Sequence, residues 1–149
     1  MLIQTLQSLF DRDLKRLKAE IEHYKNEDKI WHFEKNISNS AGNLCLHLIG
    51  NLNTYIGAQL GQTGYIRDRD LEFSAKNVPK TELLSRIDKT IRVVGETLKK
   101  MYGDALEKEF PIVVFEKKTS TGYLLVHLAT HLSYHLGQIN YHRRLLDVD

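Results

Sequence analysis

His127-Leu-Ala-Thr-His131-Leu-Ser-Tyr-His135-Leu-Gly-Gln138 is a leucine-rich segment in which three histidines lie four residues apart. On a helix, side chains with this spacing lie one above the other, so neighbouring imidazoles are brought to one place. Imidazole is a strong ligand for zinc, nickel, copper and iron, and these metals take further ligands from elsewhere in a protein. The segment therefore predicts a helix over roughly residues 121–146 that carries part of a metal site.

This helix has two neighbouring stripes. One stripe is apolar and faces the core, and the second lies about 100° away and carries most of the histidines, so those histidines flank the core instead of facing water. His127 can act as a fourth ligand or as a donor to one, but we favour an ordinary position at the core edge. For His142, near the helix C-terminus, the helix dipole is a sufficient explanation. The core stripe is Leu125, Leu128, Leu132, Leu136 and Ile139, and the second is Leu124, His131, His135, Gln138 and His142.

Apolar residues recur at three- and four-residue steps in three earlier segments, which predicts three more amphipathic helices. Four helices with no other substantial regular structure indicate an all-α four-helix bundle, formed as a single domain over residues 1–149. The link between helices two and three is too long for a hairpin, so we expect it to cross the bundle. Residues 104–119 can form a short strand or pack over one end. The predicted helices cover residues 3–26, 40–60, 79–103 and 121–146.

The third metal ligand should come from a helix that faces the histidine row. His47 is the best candidate, because it lies in an otherwise apolar segment of helix two, where an imidazole without a partner would be unfavourable. Cys45 is a poor candidate, since it lies about 200° around the same helix. Helix two is apolar on two sides, which requires two partners. A broad core contact would satisfy this, but we favour a homodimer interface.

Two parts of the chain carry a family resemblance. Residues 39–51, Asn-Ser-Ala-Gly-Asn-Leu-Cys-Leu-His-Leu-Ile-Gly-Asn, precede Arg67-Asp-Arg-Asp-Leu-Glu-Phe73, and the helix-four motif is His131-Leu-Ser-Tyr-His135-Leu-Gly-Gln138. Together they resemble an uncharacterised branch of the DinB/YfiT-like superfamily of metal-binding four-helix bundles. The resemblance implies a metal site formed by His47, His131 and His135, and a crossing link between helices two and three. Members often form dimers, and some use the metal to activate a low-molecular-weight thiol.

Three neutral imidazoles leave a position open on zinc or nickel, which is typical of catalytic sites. Such a metal lowers the pKa of a bound water or thiol, so hydrolysis and thiol transfer are the reactions to expect. A zincin protease is not supported, because the position after His131 is Leu132 and not glutamate.

Four polar residues are candidates for contacts with a ligand or substrate. Asn51 lies one turn beyond His47, and Gln138 follows His135, so each can orient a metal ligand or a bound molecule, or form a polar layer of the bundle. Arg67 and Arg69 can bind carboxylates of an anionic thiol or substrate. For these arginines we favour local pairing with the acidic residues of the same segment, Asp68, Asp70 and Glu72.

Charge and composition restrict the partners. The chain has 21 Lys and Arg against 19 Asp and Glu, a net charge of +2 that is interspersed along the sequence, which argues against nucleic-acid binding. A single cysteine excludes an internal disulfide and fits a reducing compartment. No apolar run approaches membrane-spanning length, and the first residues lack the pattern of a signal peptide. We therefore expect a cytoplasmic protein without a membrane partner.

The sequence thus leaves two functions to be distinguished. The first is a metal-dependent transferase that uses a low-molecular-weight thiol, or a hydrolase, acting on a small molecule. The alternative is a noncatalytic metal-binding or stress-related protein in which the metal is structural. An open metal position would favour the enzyme, whereas a fourth protein ligand such as His127 would favour the structural function.

Overall fold

The computed structural model describes residues 1–148, and within this range the chain is all-helical, as predicted. No β-strand occurs in these residues, and a single isolated bridge joins Glu109 to Ser120. The four predicted helices correspond to the first, second, fourth and fifth of the helices in the structure. The five α-helices of the structure are α1 (Leu2–Glu22), α2 (Ala41–Leu52), α3 (Arg69–Ser74), α4 (Lys80–Lys99) and α5 (Thr121–Leu146).

The first helix is shorter than predicted. Its apolar stripe is fully buried, but α1 ends at Glu22 and not near residue 26. The Asp147 carboxylate, which follows α5, accepts hydrogen bonds from the backbone N–H groups of Lys25 and Asn26 at 2.7 and 3.1 Å. Asn26 also caps a 3-10 turn over Glu27–Trp31. Contacts with a distant segment therefore end the helix earlier than its local periodicity indicates.

The second helix begins where the sequence predicts. The Ser40 hydroxyl accepts from the backbone N–H of Asn43, as expected of an N-cap. The α-helix then changes to a π-helical turn over Asn53–Ala58, a feature that the prediction of one helix over residues 40–60 did not contain. Asn53 donates through Nδ2 to the Ile49 carbonyl and to the Thr90 hydroxyl, which links the wider turn to α4.

Every residue of α2 is buried within the single chain. The two apolar sides of this helix are covered by other helices of the same molecule, since α2 packs against α3, α4 and α5. The broad core contact is therefore sufficient to explain the two-sided pattern. A homodimer stays a prediction, without support from this helix.

The long helices pack in a ring in which α1 and α2 each contact both α4 and α5. Contacts along the helices give their directions. Asn53 pairs with Thr90, and Gly61 lies against Thr97 about two turns later, so α2 and α4 run parallel. The chain must therefore return along the whole length of α2 before α4 begins, and the link of residues 59–79 makes this crossing.

The link contains a short helix that the sequence analysis did not predict. The Asp68 carboxylate caps α3 by accepting from the backbone N–H of Leu71. On α2, Asn43 donates through Nδ2 to the backbone carbonyls of Glu72 and Ala75 at 2.9 and 2.8 Å. These bonds tie α3 and the residue that follows it to α2.

The segment between α4 and α5 packs over one end of the helices and forms no strand. Phe110 is buried and contacts the Tyr55 ring, with the ring centroids 6.4 Å apart. Gly103, the last residue of the third predicted helix, lies three residues beyond Lys100, the residue that caps α4, and has a φ of +62°. None of the helices within residues 1–148 combines the length and apolar character needed to cross a membrane.

His142 has a structural position that differs from the interpretation based on the helix dipole. It is 4 % exposed, and both of its ring nitrogens have partners. The Tyr24 hydroxyl lies 2.6 Å from Nδ1, and Nε2 lies 2.8 Å from the backbone carbonyl of His32, to which it donates. The imidazole thereby joins α1, the segment before α2, and α5. Burial lowers its pKa, and the hydrogen bond to His32 opposes this effect.

Replacing Tyr24 by phenylalanine should lower the free energy of unfolding by about 1–3 kcal/mol, because Nδ1 of His142 would be buried without a partner. Urea denaturation at neutral pH measures the change. Tyr102→Phe is the matched control, since this tyrosine is 85 % exposed. Equal stability of the two variants would contradict the function assigned to the Tyr24 hydroxyl.

Candidate metal centre

The three histidines predicted as ligands meet in the structure. His47 comes from the middle of α2, and His131 and His135 come from successive turns of α5. One nitrogen from each lies within 4.8 Å of the others. His47 is buried, whereas the two α5 histidines are half-buried. The helices run antiparallel here, because His142, near the end of α5, reaches a residue that precedes α2.

His47 is oriented by a carboxylate. Its Nδ1 donates to Oε1 of Glu72 at 3.1 Å, which leaves Nε2 free and directed toward α5. That atom lies 3.2 Å from Nε2 of His131. Two nitrogens bound to tetrahedral zinc at about 2.0–2.1 Å lie roughly 3.4 Å apart, so the observed separation fits a shared ion. The same distance also fits a hydrogen bond between two imidazoles when one nitrogen carries a proton.

His135 is oriented by Gln138. Its Nδ1 donates to the amide Oε1 of Gln138 at 2.7 Å, and Nε2 is therefore the nitrogen available to a metal. Gln138, predicted to orient a ligand or a substrate, contacts His135, one of the predicted ligands, directly. It lies three residues beyond His135 on the same helix, and side chains with this spacing are neighbours on the helix surface, so the two meet.

Glu72 is the residue of the site that the sequence analysis missed as a partner of a ligand. It was considered only as a partner of the arginines, and that pairing is confirmed for Arg67, whose Nε and Nη2 donate to the two carboxylate oxygens at 2.8 and 2.9 Å. Burial alone would raise the pKa of the Glu72 carboxyl, but hydrogen bonds from His47 and Arg67 hold it below its ordinary value. Glu72 is therefore an ionised carboxylate that supports His47, an arrangement common at metal-binding histidines.

A glycine makes room for this carboxylate. Gly50 lies one turn beyond His47 on α2, and a Cβ atom at this position would overlap the Glu72 carboxylate. A glycine within a buried helix lowers helix stability, so its presence indicates a close approach by another group. This glycine was a sequence signal for a close approach to α2, although it does not identify Glu72 as the approaching residue.

The α5 histidines are held in the neutral form that a metal requires. Burial, followed by the charges of His135, His47 and His127, lowers the pKa of His131 to about 4. Burial also lowers the pKa of His135, although the hydrogen bond with Gln138 acts in the opposite direction. Both imidazoles are consequently unprotonated at neutral pH.

His127 is not part of the group of close ligand atoms. Its ring stacks on that of His131 with the centroids 6.2 Å apart, and it contacts the Phe115 ring at 4.8 Å. This position, at the core edge and next to the site, agrees with the favoured prediction. Cys45 is buried, and burial raises the pKa of its thiol to about 12, so it is a poor ligand, as predicted.

A cavity of about 190 Å³ opens beside the histidines. Asn51, Arg67 and Arg69, which were predicted as binding residues, all lie in its wall, whereas Gln138 does not. The Oδ1 atom of Asn51 is buried and accepts no hydrogen bond from the described residues. Arg67 is committed to Glu72, while the guanidinium of Arg69 lies 5.5 Å from the centre of the Phe73 ring and forms no ion pair within residues 1–148.

Comparison with protein families gives a match that covers nearly the whole chain. The model of the DUF1572 family, whose description is "Protein of unknown function", matches residues 2–149 of the chain. No curated protein matches the chain.

Gly50→Ala should lower the free energy of unfolding by about 1–3 kcal/mol, because the new methyl group displaces the Glu72 carboxylate from a packed position. Gly95→Ala is the control, since a Cβ on this residue of α4 would have no heavy atom within 4 Å apart from the backbone of its own helix and its chain neighbours. This exposed helical substitution should raise stability by roughly 0.5–1 kcal/mol. Urea denaturation of both variants makes the comparison, and a Gly50→Ala protein as stable as Gly95→Ala would contradict the close approach.

The metal-free protein should lose stability as the pH falls from 6.5 toward 4. In this range the unfolded chain binds a proton at residue 131 that the folded chain does not, since the pKa of His131 falls from 6.5 to about 4 on folding. His131→Gln removes this contribution, so its stability should decrease less between about pH 7.5 and pH 5 in chelator-treated protein. Between about pH 7.5 and pH 9 both proteins should respond alike, and equal losses at acid pH would contradict the shift.

Proposed function

The chain belongs to the DUF1572 family, and we propose that it is a metal-binding member of the DinB/YfiT-like superfamily. In this proposal α1, α2, α4 and α5 form a four-helix bundle with a crossover between its second and third helices. The parallel α2 and α4, joined by a link that returns along α2, support this topology. The two motifs that carry the resemblance also contribute the residues that meet at the histidine cluster.

We propose that His47, His131 and His135 bind one divalent transition metal, zinc or nickel, per chain. The observation that carries the proposal is the convergence of three ligand nitrogens within 4.8 Å, with Nδ1 of His47 on a carboxylate and Nδ1 of His135 on an amide oxygen. A donor set of three neutral imidazoles suits zinc or nickel better than magnesium or calcium, which prefer oxygen.

The same geometry favours catalysis over a purely structural metal. A structural site is closed by four protein ligands, whereas His127 stays outside the close group and a cavity adjoins the histidines. When bound, the metal would supply Lewis acidity to a water or thiol at the open position, which is the chemistry of a hydrolase or a thiol transferase.

The residues around the histidines have separate tasks in this proposal. Glu72 and Gln138 fix the orientation of two ligand rings, so each presents Nε2 to the ion. Arg67 neutralises Glu72 and is itself half-buried. Low-molecular-weight thiols and other small molecules are the proposed substrates. A cytoplasmic location and a homodimeric state stay predictions.

Elemental analysis of the purified protein tests the metal proposal. We expect close to one zinc or nickel ion per chain in the wild type and a large loss in His131→Ala, because a two-histidine site binds far more weakly. His23→Ala is the matched control, since His23 is exposed and lies outside the cluster. A wild-type protein that takes up no metal when supplied with several divalent ions would exclude the proposal.

A further inference from the structure

The side chains that line the cavity beside the histidines include positive charges but no negative ones among the described residues. The positive charges are those of Arg67 and Arg69. The three ligand histidines are uncharged in their metal-binding form, and a divalent ion would add positive charge. A molecule that enters this cavity therefore meets a positive surface, which favours an anion.

The two arginines differ in what they can bind. Both carboxylate-facing nitrogens of Arg67 are committed to Glu72, so this charge is already compensated. Arg69 lies at the first turn of α3, is exposed, and contacts the Phe73 ring face. Since it has no ion-pair partner within residues 1–148, its planar fork is available to a carboxylate or a similar anion.

Asn51 indicates a second property of the molecule that binds in this cavity, independent of its charge. The residue is 8 % exposed, lies in the cavity wall one turn beyond His47, and its Oδ1 atom is buried without a hydrogen-bond partner in the described structure. A buried amide oxygen that accepts no hydrogen bond is unfavourable by about 1–3 kcal/mol. A ligand with an N–H or O–H group can remove this cost by donating to Oδ1.

We propose that this cavity binds the substrate through an anionic group on Arg69 and a neighbouring N–H or O–H donor on Asn51. The inference rests on the proposed function, because it describes the substrate of that metal site. It narrows the substrate class to small anions that carry a hydrogen-bond donor close to the charge. Arg69 and Asn51 are thus specificity-determining residues, whereas Arg67 acts through Glu72 as a positioning residue.

Isothermal titration of zinc-loaded protein with two small probes tests this. N-acetylglycine has a carboxylate beside an N–H donor, and N-acetylglycinamide is its neutral counterpart. We expect the wild type to bind N-acetylglycine about tenfold more tightly than N-acetylglycinamide, because a hydrogen bond to a charged group contributes about that much to affinity. Arg69→Gln should lose most of this preference, because only the zinc ion would still attract the carboxylate. Asn51→Leu should weaken both probes about fivefold, because both offer the same N–H donor.

Arg92→Gln is the matched control, since Arg92 is exposed on α4 and does not line this cavity. It should bind both probes as the wild type does. If Arg69→Gln keeps the full preference for N-acetylglycine, the metal and not Arg69 attracts the anion, and the inference is wrong. Equal wild-type affinities for the two probes, or no binding of either, would also overturn it.

Metal content measured in the same samples separates this inference from the proposed function. Protein that contains zinc but shows no dependence on Arg69 overturns only the substrate class. Protein that takes up no metal overturns the metal proposal, and the titrations are then run on that metal-free protein. In that metal-free protein, a preference for N-acetylglycine that Arg69→Gln abolishes would still support the anion site. If the metal-free protein shows no such preference, this inference is wrong together with the metal proposal.

Discussion

The buried carboxylate of Glu72 is the group on which the arrangement of the site depends. A carboxylate removed from water is strongly unfavourable unless it is paired and hydrogen-bonded, and Glu72 obtains both from Arg67 and His47. These contacts hold the link against α2. They also determine which nitrogen of His47 carries the proton, so that Nε2 faces α5. One set of contacts therefore positions a connecting segment and orients His47, a proposed metal ligand.

The composition of α2 follows from its burial on every side. The helix has no charged residue, and its polar side chains are few: Asn43, His47 and Asn51. Asn43 donates to two carbonyls of the link segment, and His47 donates to Glu72. Asn51 is the exception, since its buried oxygen has no partner in the described residues. Because buried polar groups are normally satisfied, this atom indicates a contact that the chain alone does not supply.

Features set by local periodicity were predicted well. The α5 boundaries and the neighbouring positions of His131 and His135 agree with the sequence analysis, because helical spacing fixes which side chains share a face. His47 was predicted from its apolar surroundings and from the family resemblance. Features set by distant contacts were missed. Glu72 lies 25 residues from His47, and His142 lies 118 residues from Tyr24, so no local pattern indicates either pair. The early end of α1 has the same cause, since the Asp147 carboxylate, which accepts from the backbone N–H groups of Lys25 and Asn26, follows α5.

The proposed metal ligands and Arg69, one of the two residues proposed to select a substrate, occupy different parts of the chain, whereas Asn51 lies on α2 with His47. Helices α2 and α5 provide the three histidines, whereas Arg67, Arg69 and Glu72 come from the link and α3. Loops carry variable functions when a rigid scaffold positions them, and here the bonds from Asn43 and the Glu72 contacts provide that rigidity. Arg69 is exposed and its guanidinium lies against the Phe73 ring, so we expect a change at this residue to leave the histidine cluster and the packing of α2 intact. Substrate preference can therefore vary while metal binding is kept, which is the reason to seek the function of this chain in the link as well as in the helices.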